Sequence, residues 1–144
     1  MAISVGSTTF ALAAASAYTK LNPTAEWTSS ATNGCTISAA DGEITLVTAG
    51  TYMVQFWITL TTASLAAGTF YSFKYAIDGV TDARIVSVQK ETAGADNISV
   101  AAQGIVTVTA SQVLSIHVAG DGTSSGTNIT PTGAGLTANL LRAT

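Results

Sequence analysis

The chain is expected to be all-β: an antiparallel β-sandwich of the jelly-roll kind, with about eight to ten strands. Three observations predict it. The run Gly42–Thr62 alternates strictly in its second half, with Tyr52, Val54, Phe56, Ile58 and Leu60 on one side and Met53, Gln55, Trp57 and Thr59 on the other. Side chains alternate across a strand, so this spacing makes one continuous apolar face. Turn signals at Asn33-Gly34, Asp41-Gly42, Asp78-Gly79, Gly94, Gly104 and Asp121-Gly122 divide the chain into β-rich runs. Finally, no segment of helical length repeats every 3.6 residues.

Taken in order, Ile3–Ala14 begins β-prone and continues into an alanine run that is too short and uncapped for an isolated helix. Residues 1–22 are therefore expected to form a strand or arm that packs on, or extends from, a domain spanning residues 23–144. Asn22-Pro23-Thr24 breaks the chain, and Trp27 and Cys35-Thr36-Ile37 read as short strand material. The strand within Gly42–Thr62 is central. Its second face is only half polar, and Met53 and Trp57 there are unsuited to water, so a loop or another subunit is expected to cover it. Gly68–Asp78 alternates with Tyr71, Phe73, Tyr75 and Ile77 in phase. Asp78-Gly79 is a hairpin signal leading into a strand around Ile85–Val88. After a polar loop at Glu91–Asn97, the run Ile98–Thr109 sets Ile98, Val100, Ala102, Val106 and Val108 in phase, with a bend expected at Gly104. Ala110-Ser111-Gln112 turns the chain into a strand with Leu114, Ile116 and Val118 on its apolar face. Gly120–Asn128 reads as an exposed loop. Leu136, Ala138 and Leu140 form the last strand, with Leu141 free for a neighbouring surface.

Composition narrows the function. A chain of 144 residues suits one domain with a full core. Only 9% of its residues are charged, against about 25% in typical soluble domains. So weakly charged a surface is expected to be partly buried in an assembly. The net charge is −3, and the five Lys and Arg residues are dispersed, which argues against binding to nucleic-acid backbones. Cys35 is the only cysteine, so no internal disulfide framework can form. Phe10–Ala17 has the length of a signal-peptide core, but no Lys or Arg precedes it, so no cleaved signal is expected. No run reaches the roughly 18 apolar residues of a membrane span.

Candidate chemistry is sparse. His117 is the only histidine, and its phase is opposite to Leu114, Ile116 and Val118. It is expected to be a polar surface or interface residue, because no positioned acid accompanies it in sequence. Cys35 could serve as a nucleophile with His117 as its base, but no activating cation flanks it, and a small buried thiol is the expected role. Asp78, Asp82, Glu91, Asp96 and Asp121 fall in or near loops without the converging spacing of a calcium site or a defined glycosidase pair. Asp78 and Asp121 are read as turn formers. Trp27 and Trp57 are the candidates for a sugar-stacking platform. Asn97-Ile98-Ser99 and Asn128-Ile129-Thr130 match the glycosylation pattern, as Thr/Ser-rich chains do by chance. No catalytic, metal or cofactor residue is assigned, and no enzymatic activity is expected.

Three stretches carry a resemblance. DGEITLVTAGTYMVQFWITL (Asp41–Leu60), GIVTVTASQVLSIHVAGDG (Gly104–Gly122) and LTANLLR (Leu136–Arg142) resemble successive strands of the tumour-necrosis-factor-like and complement-globular-head jelly rolls. The resemblance implies a ten-strand jelly roll packed as a homotrimer around an aromatic-lined axis. Trp57, Tyr71, Phe73, Tyr75 and Leu141 are the candidate interface residues. Small versions without a collagen-like stalk, rich in Thr, Ala and Gly, look like bacteriophage virion proteins. The implied function is a capsid decoration (cement) protein that binds the major capsid protein on the outer shell and reinforces it. Its localisation would be the virion surface, after synthesis in the host cytoplasm. Residues Ala2–Leu21 would be an arm that gains order on docking. The alternative is a receptor- or glycan-binding head of a tail fibre or spike, recognising through Thr61–Gly68, Thr92–Asn97 and Gly120–Gly135.

Overall fold

The computed structural model describes residues 2–3, 10–12, 17–22, 27–28, 34–62, 70–90, 97–120 and 127–144. Among them the strands in chain order are β1 (Ala2–Ile3), β2 (Phe10–Leu12), β3 (Thr19–Lys20), β4 (Trp27–Thr28), β5 (Cys35–Ser38), β6 (Glu43–Leu46), β7 (Gly50–Thr62), β8 (Phe70–Ile77), β9 (Val80–Lys90), β10 (Asn97–Val108), β11 (Gln112–Ala119) and β12 (Thr127–Ala143). Every pairing is antiparallel. One sheet runs β10-β7-β12-β1-β4, with β2 also on β12; the other runs β5-β6-β11-β8-β9, with β3 also on β11. The all-β, antiparallel jelly-roll sandwich expected from the sequence is the fold observed, with twelve strands among the described residues where eight to ten were expected, the surplus being two- and three-residue strands near the N-terminus.

The alternation of β7 decides which face is inside. Tyr52, Val54, Phe56, Ile58 and Leu60 are all buried and meet Tyr71, Phe73 and Tyr75 of β8, Leu114, Ile116 and Val118 of β11, and Leu136 of β12 in one core. Burying such side chains contributes about 1.5–3 kcal/mol each. The β8–β9 hairpin turns as Asp78-Gly79 demands: both residues have positive φ, 51° and 77°, the pairing of a two-residue primed turn. A second link reinforces that corner. The Asp78 N–H donates to the Val113 carbonyl at 2.8 Å, while its carboxylate accepts from the Val113 N–H at 2.8 Å and from Gln112 Nε2 at 2.9 Å.

Two expectations are corrected. No bend interrupts β10, for Gly104 pairs with Val54 inside an unbroken ladder from Asn97↔Thr61 to Val108↔Gly50. β12 begins at Thr127, so most of what reads as a long loop through Gly135 is strand. The misleading residues have local explanations: Pro131 sits at a bulge in the register between Pro131 and Gly133, a position where a strand tolerates a missing N–H. Of the two placements expected for residues 1–22, the described parts take the packed one. β1 and β2 pair with β12, and β3 with β11; Leu12 and Leu21 are core residues.

Candidate functional site

The face of the first sheet that points away from the core is the candidate site. Across it, the registers Thr51↔Thr107, Met53↔Ile105, Gln55↔Gln103, Trp57↔Ala101, Thr59↔Ser99 and Thr61↔Asn97 lay β10 beside β7. On the other side of β7, Asn139, Thr137, Gly135 and Gly133 face Met53, Gln55, Trp57 and Thr59. Among the described residues of these three strands the only charged side chain is Arg142, at the end of the ladder opposite Thr51. Two apolar side chains stand out from the face, Trp57 at 42% and Ile105 at 60% exposure, with the Gln55–Gln103 rung between them.

Polar groups around them bond one another. Thr61 Oγ1 donates to Asn97 Oδ1 at 2.9 Å, Thr132 Oγ1 to Thr59 Oγ1 at 3.2 Å, and Thr59 Oγ1 to the Gly133 carbonyl at 3.3 Å. Hydroxyls already paired cost less to take out of water than free ones. The pairing is incomplete, since the buried Thr137 hydroxyl beside Gln55 has no partner among the described residues; exposed apolar side chains among largely uncharged polar groups are the anatomy of a protein interface. Between Trp57 and the small Ala101 the face opens into a depression of about 340 Å³ lined by Gln55, Phe56, Trp57, Ala101, Ala102 and Gln103.

Glycine sets the pose of Trp57. A Cβ at Gly135 would meet the indole Nε1 at 2.1 Å, and one at Gly133 would lie 3.2 Å from Cζ3. The ring therefore lies along β12, its pyrrole edge over one glycine and its benzo edge near the other. A strand glycine covered by a cross-strand aromatic ring is a recognised way to compensate the missing side chain.

The five candidate interface residues separate. Tyr71, Phe73 and Tyr75 are 0%, 0% and 1% exposed, packed within the protomer's own core, so they present no surface to another copy. Trp57 and Leu141 stay outside, Leu141 at 55% exposure beside the register shift between Leu140 and Arg142. They do not form one spot. Leu140 and Arg142 pair with Tyr52 and Thr51, five or six positions from Trp57, roughly 17–20 Å along the strand. Sequence reasoning missed Ile105, whose signal was an isoleucine on the polar phase of β10.

The opposite sheet carries charge on its outer face. Lys20 Nζ lies 2.7 Å from Glu43 Oε1, and Lys74 Nζ lies 4.7 Å from the centre of the Tyr18 ring. His117 points outward as its phase implies, but it is only 8% exposed, a correction to the surface role expected of it. Residues 17–22 lie beside it, paired to β11 in the sheet. Its pKa is lowered by burial first and by the Lys20 charge second, against the opposing pull of the Tyr18 carbonyl and of Glu43. Cys35 packs against the core side of the same sheet, so the two residues of the hypothetical thiol–imidazole pair are held on opposite faces.

The described carboxylates in or near the loops are held by local partners. Asp78 and Asp82 line a depression of about 530 Å³ beside the β8–β9 turn. Asp78 is tied to Val113 and Gln112, and Asp82 accepts the Tyr75 hydroxyl. No group of three His, Cys, Asp or Glu side chains suited to a metal occurs among the described residues. Glu91, Asp96, Asp121 and the fibre-head loop segments 63–68, 92–96 and 121–126 lie outside the described residues, as does the Trp27 side chain.

The two sheets and their strand order define an antiparallel jelly-roll sandwich. Among solved structures the chain is similar to the globular domain of the zebrafish complement 1qA protein, with a TM-score of 0.60 and 11% identity over 99% of this chain and 98% of that one. No family model matches the chain, and no curated protein matches it. The likeness is one of fold.

Proposed function

We propose that this chain is a non-enzymatic structural protein of a phage virion, a homotrimeric decoration (cement) protein that binds the major capsid protein and reinforces the shell. The observation that carries the assembly is the outer face of the β10-β7-β12 sheet, which exposes Trp57 and Ile105 and whose only charged side chain among the described residues is Arg142 at one end. Burying the Trp57 and Ile105 region between copies removes exposed apolar area at about 25 cal/mol per Å². The decoration role is supported by the low charge of the whole chain and by the resemblance of its strands to small virion jelly rolls. Many neutral β-surface contacts would bridge neighbouring shell subunits and resist outward pressure from packaged DNA.

Size-exclusion chromatography with light scattering tests the assembly. The unaltered protein is expected to elute as a trimer, and the Trp57→Glu, Ile105→Glu double variant as a monomer with its β circular dichroism retained. A monomeric parent would overturn the reading. Antibody labelling of intact particles tests the location: a cement protein covers the shell in many copies.

The alternative is a receptor- or glycan-binding head of a tail fibre or spike, favoured by the depression where Gln55 and Gln103 flank an open indole face. Aromatic stacking plus neighbouring amides suits a neutral sugar. Labelling confined to the tail, with a glycan-array signal lost in Trp57→Ala, would select it.

A further inference from the structure

Residues 17–22 lie along β11 in line with β6, which occupies the same side of that strand nearer its start. They are fastened at four points. The Leu21 N–H donates to the Ile116 carbonyl at 2.8 Å, and the Leu21 side chain is fully buried. Lys20 pairs with Glu43 of β6. Lys74 of β8 stacks on Tyr18. The fourth point is His117, which stands directly opposite Lys20 in one register and Lys74 in the other. Directly opposed residues share a face with Cβ atoms about 4.5–5.5 Å apart. The only histidine of the chain is thus enclosed between two lysines.

We propose that residues 17–22 are a proton-operated latch: neutral His117 holds the segment on β11, and protonation of His117 loosens it. The neutral ring fits its site. Nε2 lies 3.1 Å from Ser115 Oγ, and the Tyr18 backbone acts on the ring from the segment itself. An imidazolium can keep the serine bond, since the serine oxygen also accepts; what changes is charge. A new cation would be enclosed in a site from which water is largely excluded, beside the Lys20 ammonium and across from Lys74. Glu43 is the acid that faces it, and Glu43 is already paired to Lys20. Lifting residues 17–22 returns the ring to water and moves Lys20 away, so the opened form is the one that takes up the proton. Opening would uncover the β11 backbone at Ile116 and the pocket filled by Leu21, while the β7 core stays closed.

Hydrogen–deuterium exchange on the intact protein at pH 7.5 and 5.5, corrected for the intrinsic pH dependence of exchange, tests the latch. The Leu21 amide is expected to exchange several-fold faster at pH 5.5, up to about tenfold if the closed ring stays neutral, from the linkage of one histidine. Phe56 in β7 should show no such change. His117→Gln, which cannot titrate, should flatten the response. Should that variant not fold, the NMR signal of the single histidine in the unaltered protein replaces it: its midpoint is expected below 6.5, with Leu21 protection falling between pH 6.5 and that midpoint and levelling off beneath it. Equal exchange at the two pH values, an unaltered response in His117→Gln, or a histidine midpoint at or above 6.5 would each overturn the proposal.

Discussion

Trp57 and Gly135 are fitted to each other: the indole nitrogen stands where a Cβ on residue 135 would be, 2.1 Å from that position. The contact fixes a large aromatic ring flat against the sheet while leaving its other face open. It ties the most conspicuous surface residue of the chain to a glycine that reads, in sequence, as loop.

Gly135→Ala is therefore expected to destabilise the protomer by about 1–3 kcal/mol, the usual cost of forcing extra volume into a packed site. That exceeds the few tenths to 1 kcal/mol an alanine gains over glycine in the unfolded chain. Gly133→Ala is expected to cost less, since its nearest atom is the Thr59 hydroxyl at 2.9 Å and the ring stands further off. Urea unfolding followed by tryptophan fluorescence ranks the two. A neutral or stabilising Gly135→Ala would show that the ring is not seated there.

Asp78 is expected to set an acid limit on stability. The Val113 N–H first, and the Gln112 amide second, hold its pKa below 3.8. A carboxylate with a depressed folded-state pKa contributes stability that is complete above the unfolded value and is lost as pH falls through the folded one. Asp78→Asn keeps a residue that tolerates the left-handed turn conformation but removes that titration. The variant is expected to unfold at a lower urea concentration at pH 7, with the difference from the parent narrowing below pH 3.8. A difference that stays constant with pH would remove the carboxylate from the corner's stability.

Core residues should reveal themselves by the readout they move. Phe73→Ala is expected to cost about 3–5 kcal/mol, and Leu21→Ala about 2–5 kcal/mol, of protomer stability. Both should lower the urea midpoint, and neither should selectively dissociate a folded assembly. Deleting residues 2–21 is likewise expected to unfold much of the protein, because β1–β3 and the Leu12 and Leu21 side chains leave with it. A stably folded deletion that fails only to dock on shells would restore the docking-arm reading.

What the sequence made legible was the inside of the sandwich. The period of two in Tyr52–Leu60, Tyr71–Tyr75 and Leu114–Val118 names the buried face of each strand, because burial acts on every second residue alike. The phase of His117 was equally readable; its enclosure was not, since that depends on residues 17–22 returning from far away in sequence to lie on β11. The same limit affected the aromatics of β8. A run of Tyr and Phe suits either a core or an axis, and the choice rests on which sheet lies opposite. β12 was obscured because Pro131, Gly133 and Gly135 are turn residues by local preference; here pairing with β7 overrides that preference, with one bulge and one indole absorbing the misfit. On the candidate face, Trp57 and Met53 were visible as misfits to water, but Ile105 could be joined to them only once the β7–β10 register was known.

The placement of β7 between β10 and β12 also bears on how the chain reaches this state. The greasiest ribbon in the molecule has both edges occupied, by Asn97–Val108 on one side and Thr127–Ala143 on the other. Each partner is synthesised well after it. On the ribosome, residues 50–62 must therefore wait with open backbone edges while some seventy-five further residues are made, several seconds at about 5–20 residues per second. Such distant pairings close slowly and expose an aggregation-prone template meanwhile. The threonines and the one glutamine, Gln55, on the outward phase of β7 lessen that hazard, because a half-polar ribbon is a poorer seed than a wholly apolar one.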